Sequence, residues 1–226
     1  MGSWEARGVI RFFPPDRRVL NRLDLRVETG ETVRILGRSG AGKTLLTQVL
    51  TGQAVPEEGQ VFLEGEELSA LSPERRLALR RRRLGILSRE PGFFPRLSME
   101  DNVSLALQLM GEGRRAARRK AWEAMERFGV LSGAGRLPAQ LTPGEACRMQ
   151  LARASLGEPA FLAADSFPWG LPEKEEREIW GLLKALQAET SAGLLHLTDA
   201  AGGCGPADRA LVLEQGRLWE TEERKA

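Results

Sequence analysis

The stretch Gly37-Arg38-Ser39-Gly40-Ala41-Gly42-Lys43-Thr44 decides the fold, because it satisfies the pattern GxxxxGKT at every position. Before it, Thr32–Leu36 is a short apolar run that reads as a buried strand. After it, residues 43–51 put Leu45, Leu46, Val49 and Leu50 on one helical face. Strand, glycine-rich loop and helix in that order are the setting of a phosphate-binding loop. The glycines let successive backbone N–H groups curl round a phosphate at a helix N-terminus. Lys43 would neutralise the outer phosphates, and the Thr44 hydroxyl would hold the Mg²⁺ that arrives with the nucleotide. A chance glycine-rich turn would not carry these flanks, so the chain is expected to bind ATP or GTP.

At 226 residues the chain can bury one large α/β core, with or without an inserted lobe. Its 33 Lys and Arg against 31 Asp and Glu leave a net charge of +2, which gives no global attraction to nucleic acid. No apolar run approaches the roughly 18 to 20 residues that span a bilayer. The start Met1-Gly2-Ser3-Trp4 lacks the apolar core of a signal peptide, so a cytosolic protein is expected. Cys147 and Cys204 stand in separate segments without metal-type spacing and read as reduced packing residues.

Residues 9–13 and 19–27 alternate apolar and polar side chains, as two half-exposed strands joined at Pro14-Pro15-Asp16. Pro56-Glu57-Glu58-Gly59 turns into a strand over 60–63. Ser72 and Pro73 start a helix that runs into the arginine-rich stretch 75–83. Without interleaved aromatics this reads first as a solvated helix face and second as a face near anionic lipid headgroups. A strand over Leu84–Ser88 precedes an irregular stretch, 89–97, and a helical pattern over 98–128. Then come a helix over 142–156, a strand over 160–164 ending in Asp165, a helix over 173–187, a strand over 194–198 and a closing hairpin around Gly216. Helices alternating with buried strands imply a mostly parallel α/β sheet with nucleotide at the carboxyl ends of its strands, and the first hairpin adds an antiparallel edge.

A phosphate loop near residue 40, helices after an irregular loop, a capped glycine-bearing helix and a strand ending in Asp resemble the ATP-binding cassette (ABC) ATPases over about residues 9–220. The SGAGKT core, residues 77–85 and Met99-Glu100-Asp101-Asn102-Val103 are most similar to the FtsE cell-division ATPases and the related lipoprotein-release (LolD) and MacB-type subunits. The resemblance implies one nucleotide-binding domain over 1–226, with a P-loop, RecA-like core from 1–88 and 157–226 and a helical subdomain over about 89–156. It implies Phe13 stacked on adenine and Mg²⁺ held between Thr44 and Asp165. It also implies a transmembrane permease-like partner, a homodimer or a heterodimer with a paralogous ATPase, and a place on the cytoplasmic face of the cell membrane.

Other positions depart from the family's pattern. The Glu that polarises the attacking water is Ser166 here, and losing a general base typically removes about 10² to 10⁴ of rate. Counting back from Asp208-Arg209-Ala210-Leu211-Val212-Leu213-Glu214 puts Asp199 where the family has a His on the γ-phosphate. The loop Gln aligns with Arg89, and an ion pair between Arg89 and Asp199 is expected to compensate the two changes. His196, within a strand, reads as a core residue. The signature segment is Leu141-Thr142-Pro143-Gly144-Glu145. Thr142 and Glu145 keep a capping box, but Pro143 has no N–H to offer the γ-phosphate of an opposing subunit. Residues 167–172 lack the family's interface aspartate. The expectation is a subunit that binds Mg-ATP and hydrolyses it poorly or not at all, as a structural or ATP-gated clamp on a membrane partner of the FtsX or MacB type. A hydrolysing transporter ATPase and a soluble nucleotide-binding scaffold are the alternatives.

Overall fold

The chain begins with two long antiparallel strands, β1 (Ser3–Phe13) and β2 (Arg17–Glu28). Along β2, Leu23, Leu25 and Val27 are buried between the exposed Arg22, Asp24 and Arg26, the period of a sheet with one wet face. β3 (Thr32–Leu36) and α1 (Lys43–Leu50) bracket the glycine-rich loop, and β4 (Glu58–Leu63) and β5 (Glu66–Glu67) follow. α2 (Pro73–Arg83) leads into β6 (Leu84–Ser88). Three helices, α3 (Met99–Gln108), α4 (Arg114–Arg127) and α5 (Pro143–Ser155), separate β6 from β7 (Phe161–Asp165). α6 (Glu173–Thr190), β8 (Gly193–Thr198), β9 (Arg209–Glu214) and β10 (Arg217–Glu220) complete the order. This computed structural model describes residues 2–13, 17–199 and 205–221. The Pro14-Pro15-Asp16 turn, Cys204 and the side chain of Phe13, expected on adenine, lie outside what it describes.

Two sheets result. One is antiparallel in the order β2-β1-β4-β5, and the other runs β10-β9-β3-β8-β7-β6. In the second, neighbours from β9 to β6 are parallel and β10 is antiparallel to β9. The first hairpin is thus part of a separate sheet, and the antiparallel edge of the main sheet is β10. The reason lies in burial: β7 and β8 are buried at every position, so the main sheet needs cover on both faces. One cover is the antiparallel sheet with α1, sharing a core of Trp4, Leu23, Val33, Ile35, Leu46 and Phe161. The other is the helices, where Leu162, Ala164 and Leu194 of the sheet meet Phe128, Met149, Ile179 and Leu183. Trp4 joins the layers, donating from Nε1 to the Leu50 carbonyl at 2.9 Å with its ring centroid 5.8 Å from that of Phe161.

The helical pattern over 98–128 resolves into two helices. Gly111, at φ +97°, ends the first, and its neighbours close the turn with bonds from Gly111 N to Gln108 O and from Glu112 N to Leu107 O. Ser72 and Ser98 cap α2 and α3 by accepting from Arg75 N and Asp101 N. Among the described residues, no helix is long and apolar enough to cross a membrane.

Candidate functional site

The parallel register lines up the carboxyl ends of four strands. Leu36 pairs with Thr198, Leu197 with Asp165, and Asp165 with Ser88. The next residues, Gly37, Asp199, Ser166 and Arg89, therefore leave the sheet along one rim, where loops in such sheets bind ligands.

The 37–44 loop is set by backbone geometry. Gly42 is at φ +103°, and a Cβ there would stand 2.5 Å from Val19 Cγ1, so both conformation and space require glycine. Gly42 is also the N-cap of α1 and gives it no side-chain cap, which leaves the first N–H groups of the helix turned to the loop. Gly37 N donates to Thr198 O at 3.1 Å and Ala41 N to Arg38 O at 3.0 Å. Lys43 is buried, and its Nζ donates to the carbonyls of Gly37 at 2.6 Å and Arg38 at 3.1 Å, placing the ammonium across the loop. Arg38, Ser39 and Gly40 are exposed. A cleft of about 350 Å³ separates Gly37, Arg38, Ser39, Gly40 and Ala41 from Val212, Leu213 and Glu214 of β9, a wall that the sequence did not reveal.

Asp165 closes the other side. It is buried, burial holds its carboxyl above the ordinary range, and a hydrogen bond with Thr44 and the charge of Lys43 pull the other way. Its Oδ1 is buried and meets no hydrogen-bond donor. An unsatisfied buried carboxylate oxygen beside a hydroxyl fits a small hard cation such as Mg²⁺. Among the described residues no cluster of three or more His, Cys, Asp or Glu could hold a metal.

The remaining rim positions do not converge. Arg89 and Asp199 are exposed, and no ion pair joins them within 4.0 Å. β7 lies between their strands, which separates their backbones by about 10 Å at the usual strand spacing. The expected Arg89–Asp199 pair is therefore not made in this structure. Ser166 adopts φ +50° and its N donates to Leu197 O at 2.8 Å. His196 is buried on β8 against the Trp180 ring, centroids 4.7 Å apart. Burial above all, with the Arg34 charge, pushes its pKa down to about 3 against an opposing bond to the Phe167 carbonyl, so the ring is neutral.

Leu141, Thr142, Pro143, Gly144 and Glu145 form the start of α5. Thr142 Oγ1 accepts from Glu145 N at 3.2 Å, and Glu145 Oε2 accepts from Thr142 N at 2.9 Å, while Arg136 pairs with Glu145 Oε1 at 2.8 Å. Pro143 is the first helical residue. Gly144 is buried against the Glu175 carboxylate of α6. Cys147, one turn on, is buried, and burial pushes its thiol up to about 12, so it packs as a neutral group. Among the described residues no hydrogen bond or ion pair connects 141–145 to the 37–44 loop.

Residues 20–167 match the family described as ABC transporter. The lipoprotein-releasing system ATP-binding protein LolD of Xanthomonas axonopodis pv. citri is 34% identical over 202 residues, spanning 89% of this chain and 83% of that protein. LolD of Bordetella pertussis is 35% identical over 200 residues, 88% of this chain and 87% of its own length. Among solved structures, the bacterial ABC transporter cassette MJ0796 in dimeric form has a TM-score of 0.88 at 25% identity, over 99% of this chain and 100% of that one. Its dimeric post-hydrolysis state bound to ADP and Pi has a TM-score of 0.89 at 24% identity over the same shares, a likeness of fold. With its glycine-rich loop, its buried Asp165 and this similarity over most of its length, the chain belongs to the ABC transporter family.

Proposed function

We propose that this chain is the ATP-binding subunit of a membrane complex of the lipoprotein-release class, that it holds Mg-ATP, and that it turns ATP over slowly. The observation that carries the reading is the group of Lys43, Thr44 and Asp165 around one loop, with Ser166 as the next residue along the rim. The N–H groups of Gly40 and Gly42 and the ammonium of Lys43 would bind the phosphates, and Phe13 would stack on adenine. Thr44 and Asp165 would hold Mg²⁺, which neutralises charge on the phosphate oxygens. Ser166 cannot accept a proton as a carboxylate does, Asp199 and Arg89 bring charges that do not match the family's pattern, and Pro143 withholds an N–H from a second subunit. The LolD relatives are ATP-binding proteins of a lipoprotein-releasing system, and membership of the ABC transporter family fits a transmembrane permease-like partner and a position on the cytoplasmic face of the membrane; the dimeric MJ0796 cassette supports pairing of two cassettes. Residues 1–88 and 157–226 would act as the core and about 89–156 as the helical subdomain of a single cassette.

The test is nucleotide binding and phosphate release measured on the same preparation, with the Bordetella LolD alongside. Mg-ATP is expected to bind, with turnover lower by about 10² or more, the usual cost of a missing general base. The similarity to LolD over most of the chain favours a second reading, an ordinary transport ATPase. Turnover equal to that of the relative, and abolished by Lys43→Ala, would establish that reading and end the first.

A further inference from the structure

Helix α4 carries its charges in an order that a lone helix disfavours. It starts on Gly113 with no side-chain cap and no acidic residue in its first turn, so that Arg114, Arg115, Arg118 and Arg119 fill its first half and Glu123 and Glu126 its second. The macrodipole favours the reverse, acids first and bases last. Arg115, Arg119, Trp122 and Glu126 recur at helical spacing along one stripe, and all four are exposed, Trp122 to 51%. The other face, Ala117, Ala121, Ala124 and Met125, is buried. Within the subunit Arg118 pairs with Glu100 and Arg119 reaches Glu123 at 3.8 Å, while Arg115 and Glu126 make no ion pair or hydrogen bond among the described residues. The stripe lines a groove of about 600 Å³ together with Leu131.

The stripe is complementary to itself. Arg115 and Glu126, Arg118 and Glu123, and Arg119 and Trp122 each lie equally far on either side of the midpoint between Lys120 and Ala121. A second α4 laid antiparallel across that midpoint sets each Arg115 against a Glu126, each Arg118 against a Glu123 and each Arg119 guanidinium against a Trp122 ring. A parallel neighbour would set Arg115 on Arg115 and Glu126 on Glu126. We propose that α4 is a self-association surface, on which a second copy of this chain docks antiparallel about a twofold axis between Lys120 and Ala121. A wholly acidic partner would gain at Arg115 and be repelled at Glu123 and Glu126, and a wholly basic one would meet the opposite conflict. The stripe needs both signs in reverse order, and the chain itself supplies them. The contact spans about 18 Å of helix, which places it among small, reversible interfaces. It uses none of the residues assigned to phosphate binding or to the start of α5, so it does not depend on ATP.

The experiment is sedimentation velocity of the full chain, with chelator and without nucleotide, from about 10 to 300 µM, the range of such small contacts. A shift from monomer to dimer with rising concentration is expected, and high salt weakens it. Trp122→Ser lowers association about tenfold. Arg115→Glu and Glu126→Arg, each alone, lower it about tenfold or more, because like charges then meet at both ends of the contact. Both reversals suit the helix dipole, and thermal melts confirm that each variant is folded. Mixed in equal amounts, the two variants set opposite charges against each other again and recover dimer to within about twofold of the parent. A chain that stays monomeric across the range, or that associates only with Mg-ATP, overturns the proposal. So does association that none of the three substitutions lowers, or a mixture no better than either reversal alone. A monomer that instead binds a poly-glutamate peptide through Arg115 would give the stripe to an acidic partner and likewise overturn it.

Discussion

Lys43 rests on two carbonyls of its own loop, at 2.6 and 3.1 Å, so its charge is satisfied within the protein and also stands where phosphate oxygens would come. A charge-assisted bond contributes about 1.5 to 3 kcal/mol. Lys43→Ala is therefore expected to weaken Mg-ATP about 10- to 100-fold in calorimetry. Asp165 works in the opposite sense. Burial holds its carboxyl above the ordinary range, so its ionised form opposes folding at neutral pH, and Asp165→Asn should raise the melting temperature of the nucleotide-free protein. The same variant should erase the difference between ATP binding with Mg²⁺ and with chelator. A lower melting point together with intact Mg²⁺ dependence would remove Asp165 from the metal site. His196 gives a pH prediction. Its folded pKa, about 3, lies below the ordinary 6.5, so between those values the unfolded chain takes up a proton that the folded chain refuses. The stabilisation from its neutral ring is complete above about pH 6.5 and declines as pH falls, by about 1.4 kcal/mol per unit. In urea unfolding at pH 7, 6 and 5, the parent should lose stability faster than His196→Leu, and parallel losses would refute the assignment.

At the level of elements, two helix-starting glycines make contrasting demands. Gly42 has φ +103° and a Cβ would reach 2.5 Å from Val19 Cγ1, so Gly42→Ala should cost about 1 to 3 kcal/mol and disturb the loop. At Gly144 a Cβ would stand 1.8 Å from Glu175 Oε1, the far end of a flexible side chain, at a φ that is not positive. There the carboxylate can rotate away, and the gain in helix propensity offsets part of the cost. Gly144→Ala should change chemical-denaturation stability by less than about 1 kcal/mol. Such starts were legible in sequence: Ser72 with Pro73 and Thr142 with Glu145 are side-chain rules acting over three residues, and both caps form. Two-faced burial was legible as well, because β7 and β8 are unbroken apolar runs around one or two polar residues. The break at Gly111 was not, since the apolar face continues on both sides of it, with Val103 and Leu107 before and Ala121 and Met125 after. Nor was the second sheet, because the pairing of β1 with β4 is a contact between distant segments that no local pattern encodes.

For the whole molecule, strand order sets what sequence could only list. Lys43 and Thr44 are far from Asp165 in the chain and meet it because β3, β8 and β7 are neighbours, while the same order holds Arg89 and Asp199 apart. α5 adds a connection along its length. Its first turn is Pro143-Gly144-Glu145, and further on Gln150 Oε1 accepts from Ser88 N at 2.9 Å while Arg153 holds Pro91 O, so the loop bearing Arg89 is gripped on both sides. Changes at the start of α5 and at Arg89 thus bear on one helix. This arrangement orders the repair of turnover. Ser166→Glu with Asp199→His supplies a base and a γ-phosphate donor on the rim, but in the proposed pairing of two cassettes the second subunit would still present Pro143, which has no N–H to give. The pair alone should leave phosphate release at background, and Pro143→Gly added to it should raise release by about 10² or more. Lys43→Ala in that background should return it to zero, showing that the recovered activity uses this site. If the pair alone recovers the full rate, Pro143 is not the block. If the triple variant binds Mg-ATP and stays silent, the three positions do not account for slow turnover, and the reading built on them fails.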